Sequence, residues 1–177
     1  MVNSDELLFV VNKFDVPQKP HPRHKVFKNG LWRRTVHVWI INEEKKFLCQ
    51  KRSLKKDISP GKWEPAILGH MGPTDNYFSG AVREVYEETG IVVSPHNLKL
   101  LKIYRDEERK EYRAIFYCKL SLDVDKIKME EDEVEDIQLI HFKKLKRHLL
   151  EEKSESWIYH GYEQELFDTI DSNESAR

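Results

Sequence analysis

The sequence predicts a mixed α/β sandwich in which short strands enclose one central helix and helices close the chain. Three observations lead there. Residues 34–41 are rich in β-branched and aromatic residues, break at 42–46 and resume over 47–52, and a further strand is read over 111–120. Residues 77–89 read as a helix that Gly90 stops in the position favouring positive φ. Residues 143–151 and about 155–170 carry helical patterns at the end.

Taken in order, the apolar run 7–11 reads as a strand. Residues 17–23 follow as an extended surface linker with three prolines. The strand over 34–41 is broken by Asn42-Glu43-Glu44-Lys45-Lys46 and resumes over 47–52, which predicts a hairpin with a loop longer than two residues. Residues 53–61 form a polar loop with Pro60-Gly61 as its turn signal, and 63–68 read as another strand. Gly72 and Pro73 mark the loop into the central helix. Strands are expected over 98–104, 111–120 and 137–142, the last preceded by the acidic run 130–136. The polar tail 171–177 is expected to fray.

At 177 residues, 39% hydrophobic and 34% charged, the chain suits one domain with its own core and is expected to form a single domain over 1–177. Thirty basic residues nearly cancel thirty-one acidic ones, leaving a net charge of −1. The overall field therefore gives no reason to expect nucleic acid or an anionic membrane as partner. Cys49 and Cys118 lie in apolar segments without metal-ligand spacing and read as buried thiols. Asp5 and Glu6 stand where a leader peptide carries positive charge, and no apolar run reaches membrane-spanning length, so a cytoplasmic location is expected.

The chemistry centres on Arg83-Glu84-Val85-Tyr86-Glu87-Glu88-Thr89-Gly90. At about 100° per residue, Glu84, Glu87 and Glu88 fall within one sector of roughly 100°. Three carboxylates spaced i, i+3 and i+4 repel one another, which a divalent cation relieves. Mg²⁺ suits them because it takes hard oxygen ligands and is usually shared with substrate phosphates. Arg83 reaches Glu87 at i, i+4. Spacing alone also fits a solvated acidic face.

The longer frame decides between these readings. Gly69, five residues, Asp75, seven residues and then the run from Arg83 to Ile91 resemble the Nudix box over 69–91. One specified position departs from the pattern: Asp75 stands where that family has Glu. The resemblance implies a Nudix-type α/β/α sandwich with a mixed sheet. It also implies a hydrolase that cleaves the diphosphate linkage of a nucleotide or nucleoside diphosphate derivative. By the same resemblance Glu84, Glu87 and Glu88 hold Mg²⁺ or Mn²⁺, with the Gly69 carbonyl completing the shell and Arg83 and Glu87 serving catalysis. The implied partner is a small-molecule diphosphate or nucleotide, with no nucleic acid or membrane, and the protein a monomer or homodimer.

Beyond the box, Gly30 to Ile40, Gln50-Lys51-Arg52-Ser53 and Pro60 to Glu64 resemble the branch related to isopentenyl-diphosphate isomerase. That branch raises double-bond isomerisation as a rival activity. Leu68 stands where the isomerase has its cysteine, and leucine exchanges no proton. Phe27 and Arg33 stand in the region of its upstream metal-binding histidines, Arg109 and Glu111 in place of its downstream acidic pair. Hydrolysis is the better expectation; a noncatalytic nucleotide sensor is a further alternative.

Arg52 and Lys56 match positions that grip a diphosphate in the isomerase, against a background of ordinary surface charge. His70 is a candidate for substrate contact or for a structural hydrogen bond. His37, beside Trp39 in a strand pattern, reads as packing. General-base candidates outside the box are Glu111, Glu130, Glu131 and Glu133, with Glu133 ranked above Glu130. Phe27, Trp32, Trp39, Trp63 and Trp157 are candidates to stack on a ligand or to fill the core.

Overall fold

The computed structural model describes residues 5–56, 58–128 and 132–175, with side chains described through residue 172. Its elements are β1 (Leu7–Leu8), β2 (Val10–Val11), β3 (His21–Pro22), α1 (Arg23–Lys28), β4 (Trp32–Ile41), β5 (Lys46–Arg52), β6 (Trp63–Glu64) and β7 (Ile67–His70). They continue with α2 (Tyr77–Thr89), β8 (Lys99–Asp106), β9 (Glu111–Lys119), β10 (Val134–His141), α3 (Phe142–Lys146) and α4 (Glu163–Ser175). The fold is mixed α/β, as the patterning predicts. Glu130 and Glu131 lie outside the described residues.

The chain divides into two compact units, one of residues 1–40 and 66–119 and one of residues 41–65 and 120–177. In the first, β4 is flanked by β2, β7 and β9, and β8 follows β9. The β4–β7 pairing sets Val36 opposite Gly69 and His37 opposite Leu68. Val36, Val38, Trp39, Ile67, Met71, Ala81, Val85, Ile115 and Phe116 are buried here, so the apolar face of α2 lies in a packed interior.

In the second unit β5 pairs with β10 on one side and β6 on the other, and Ile41 pairs with Phe47. Phe47, Phe142 and Phe167 meet at centroid distances of 5.3 to 6.1 Å. They join Leu145, Leu149, Leu166 and Ile170 in the core of that unit. Cys49 and Cys118 are free buried thiols, as expected.

Two expectations are corrected. The run 63–68 is two strands rather than one, because Pro65 supplies no ladder donor: β6 pairs with β5, β7 with β4. The linker over 17–23 runs extended at the surface as expected, with β3 pairing with β1 and α1 beginning at Arg23. The last helix begins at Glu163, not near Glu155. Backbone bonds from Trp63 N to Ser156 O (2.8 Å) and from Ile158 N to Trp63 O (2.9 Å) hold that segment extended, and Gly161 has φ +92°. Strand-like pairing outweighs helical periodicity there. The last helix, α4, extends to Ser175.

Candidate active site

The central helix begins where its chemistry dictates. Asn76 accepts hydrogen bonds from Phe78 N and Ser79 N, while the Ser79 hydroxyl accepts from Asn76 N, closing a capping box. Such caps stabilise a helix by about 1 kcal/mol. The helix ends on Gly90 at φ +71°.

Glu84 points from α2 at β7. A β-carbon built on Gly69 would lie 1.8 Å from the Glu84 carboxyl carbon and 2.2 Å from its Oε2. The carboxyl group thus occupies the space a side chain at 69 would need. Only glycine allows this approach. Arg83 ties the region together. Its Nη1 donates to Glu87 Oε2 at 2.8 Å and lies 2.9 Å from Glu84 Oε1, while Nη2 donates to the His70 carbonyl at 2.9 Å and to Asp75 Oδ2 at 2.8 Å. Asp75 Oδ2 also accepts from Gly72 N at 2.8 Å. Asn76 is the helix cap, and Asp75 instead braces the loop and Arg83.

Burial is the main influence on Glu84: it pushes the carboxyl up to about 7, Arg83 pulls it back and Glu87 adds repulsion. Arg83 is held above its ordinary range because Asp75, Glu84 and Glu87 outweigh its partial burial. Glu88 is half-buried and Glu87 exposed. Hard oxygen donors, one of them buried with a guanidinium as its counter-charge, fit a divalent cation such as Mg²⁺ in chemistry. Among the described residues, however, no three acidic, histidine or cysteine side chains are already gathered around one point. Arg83 Nη1 stands between Glu84 and Glu87 instead.

His70, Glu111 and Arg109 come together on Arg33. The Arg33 guanidinium donates from Nη2 to Glu111 Oε1 at 2.6 Å, from Nε to His70 Nε2 at 3.2 Å and from Nη1 to the Arg109 carbonyl at 3.0 Å, with the Phe27 ring 4.3 Å away. Arg113 Nη2 takes the second Glu111 oxygen at 3.0 Å. Both oxygens of Glu111 are therefore engaged by guanidinium groups, and its side chain is buried. Burial, reinforced by Arg23 and Arg33, holds His70 well below the ordinary imidazole range. Arg23 Nη1 lies 3.2 Å from His70 Nδ1. A neutral imidazole has one N–H and one acceptor, so only one of the two guanidinium groups can donate to it. His70 is a neutral connector here, and its carbonyl reaches Arg83.

The remaining candidates lie in the second unit. Arg52 Nη1 donates to the buried Glu64 at 2.9 Å, and Glu64 Oε1 also lies 3.0 Å from His160 Nε2. Lys56 pairs with Glu133, and Lys55 Nζ lies 2.5 Å from Asp132 Oδ1. The cation expected to hold phosphate and the carboxylate expected to act as base are thus bound to each other.

Trp39 is fully buried and belongs to the core, and His37 is buried beside it in β4. Trp63 and Trp157 stack at 5.8 Å, and Trp157 stacks on His148 at 5.6 Å. Trp32 lies beneath Arg105 and Lys110. Sequence reasoning missed Arg23, Arg113 and Glu64, which act through partners 12 to 47 residues away in some cases, such as Arg23 with His70 and Arg52 with Glu64. An arginine in place of a polar ligand at 33, facing an acid at 111, was the one signal available.

Comparisons with known proteins bear on the family and the fold. Nudix hydrolase 3 of Arabidopsis thaliana is 34% identical over 87 residues, 49% of this chain and 11% of that protein. The isopentenyl-diphosphate Delta-isomerase of Streptomyces griseus is 36% identical over 62 residues, 35% of this chain and 32% of the isomerase. The chain therefore spans about a tenth of the one relative and a third of the other. A crystal structure of the Deinococcus radiodurans protein DR0079 superposes with a TM-score of 0.70 at 16% identity, covering 93% of this chain and 98% of that one. Residues 31–161 match the NUDIX domain model, which takes in the whole of α2, Gly69 and Arg33, and the chain belongs to the Nudix family.

Proposed function

We propose that this protein is a Mg²⁺-dependent pyrophosphohydrolase that cleaves the diphosphate linkage of a nucleotide or nucleoside diphosphate derivative. The observation that carries the reading is the seating of Glu84 against Gly69, beside Glu87, on the box helix. Glu84, Glu87 and Glu88, with the Gly69 carbonyl, would hold Mg²⁺ or Mn²⁺. Such an ion neutralises charge on the diphosphate and lowers the pKa of the attacking water. Arg83, braced by Asp75 and the His70 carbonyl, would orient Glu84 and Glu87 through its contacts with them.

By the resemblance, Arg52 and Lys56 are the candidate phosphate-binding cations and Glu133 the candidate base outside the box, all three lying in the second unit. Glu111 is set aside as base because two guanidinium groups engage it, which leaves it to anchor Arg33. His70 supports the Arg83 contact and bears no charge for substrate. Isomerisation is disfavoured, since Leu68 carries no exchangeable proton and an arginine fills the space among His70, Glu111 and Phe27. Among the described residues no helix is long and apolar enough to cross a membrane.

The test is incubation of the purified chain with Mg²⁺ or Mn²⁺ and a panel of nucleoside di- and triphosphates, nucleotide sugars, ADP-ribose and dinucleotides. Release of a monophosphate or phosphate is expected, and Glu87→Gln should lower turnover by orders of magnitude with little change in folding. No release across the panel with either metal refutes the reading. Tight binding without turnover would mark a nucleotide sensor instead.

A further inference from the structure

Each of the four cations between residues 51 and 56 meets a carboxylate: Lys51 with Glu135, Arg52 with Glu64, Lys55 with Asp132 and Lys56 with Glu133. The pairs differ in how readily they can part. Glu64 is buried and also faces His160, so it parts from Arg52 less readily than an exposed carboxylate would. The carboxylates of Asp132 and Glu133 reach solvent, with side-chain exposures of 65% and 34%. They are adjacent in sequence and sit on adjacent ammonium groups. Two neighbouring anionic groups on two neighbouring lysines reproduce the charge pattern of a diphosphate.

We infer that Asp132 and Glu133 act as an internal mimic of the diphosphate, occupying Lys55 and Lys56 until an incoming phosphate pair displaces them. This deepens the function proposed above and rests on it, because displacement is what leaves the Glu133 carboxylate free to take a proton. A backbone bond from Ser53 N to Glu133 O, 2.9 Å long, keeps the two segments side by side while the side chains exchange partners. The lysine loop is itself held in shape by Lys56 N to Ser53 O (3.2 Å) and Lys55 N to Ser53 Oγ (3.2 Å). Displacement therefore requires rotation of side chains alone. A phosphate group is a fitting competitor, since it offers a lysine more charge than a carboxylate does.

The mimic makes a prediction that an ordinary base or an ordinary surface pair does not. Removing the charge of Glu133 should tighten binding of inorganic pyrophosphate, because a competitor has been removed. The experiment is calorimetric titration of the purified 177-residue chain with inorganic pyrophosphate in EDTA, where no turnover occurs. Glu133→Gln should bind about two- to fivefold tighter than the unmodified protein, the range a partly exposed ion pair supports. Lys56→Met together with Glu133→Gln should lose that gain. Should Glu133→Gln fail to fold, Asp132→Asn releases the companion lysine and should give a gain in the same direction.

Unchanged or weaker pyrophosphate binding in the variant overturns the inference, as does the absence of binding by the unmodified protein. Turnover reads the other proposal separately. A fall in kcat with unchanged pyrophosphate affinity retains the base and removes the mimic. Tighter pyrophosphate with unchanged kcat retains the mimic and removes the base.

Discussion

The carboxyl carbon of Glu84 lies 1.8 Å from the point that a β-carbon on residue 69 would occupy. Gly69→Ala must therefore expel Glu84 from its seat or push β7 away from α2. Displacing a reacting group by about 1 Å costs on the order of a hundredfold in rate. The variant is expected to lose at least that much in kcat/KM on whichever substrate the panel identifies. Circular dichroism should show the fold retained.

Glu84 also sets a pH dependence in the metal-free protein. Its folded carboxyl titrates near 7 against 4.5 as the ordinary value, chiefly because it is buried. Between those values the folded chain holds a proton that the unfolded chain has released, so stability falls as pH rises. The full difference is on the order of 3 kcal/mol. Urea denaturation in EDTA should show stability declining from pH 4.5 to 7 and levelling above it, while Glu84→Gln removes this component. Equal pH profiles for the two proteins would refute the assignment.

Arg33 is the buried hub of the first unit. Arg33→Met strands Glu111 and His70 without their main donor, and breaking one side of a buried ion pair costs about 3 to 5 kcal/mol. Replacing both partners, Arg33→Met with Glu111→Leu, should recover part of that loss. Chemical denaturation of the two single variants and the double variant gives the coupling directly.

Asp75→Asn probes the one departure from the box pattern. Asp75 Oδ2 receives two donors of Arg83 and the Gly72 amide. Neutralising it weakens the hold on Arg83, and kcat is expected to fall about tenfold, equivalent to one charge-assisted hydrogen bond. Asp75→Glu, which restores charge on a longer arm, should lie between the variant and the original chain.

The two thiols offer a test of the cores. Burial raises Cys118 to about 12 and Cys49 further still. Ellman's reagent should modify neither at pH 8 until the protein unfolds, so modification should follow the unfolding rate rather than reagent concentration.

How much of this was legible depended on how local each cause was. The limits of α2 followed from Gly72 and Pro73 in the loop before it, the helical spacing and Gly90, all local signals, and the helix runs over the residues expected. The β-branched and aromatic run over 34–41, broken at 42–46 and resumed over 47–52, marked β4 and β5 for the same reason. The stretch before α4 was misread because its conformation is set by Trp63, about ninety residues upstream, through backbone pairing that leaves no periodic trace. Within the site, Glu84, Glu87 and Glu88 were visible as a pattern, while the pairing of Lys56 with Glu133 was not: both residues had been singled out, each for a separate role. Contact across 77 residues is invisible to spacing.

Arg33 has one more consequence. The positive charge among His70, Glu111, the Arg109 carbonyl and Phe27 is covalently part of the chain. No chelator can strip it, and no change in ion supply can replace it. If the proposed hydrolysis is observed, its sensitivity to EDTA and its preference between Mg²⁺ and Mn²⁺ would then report on the glutamates of α2 rather than on this second polar centre.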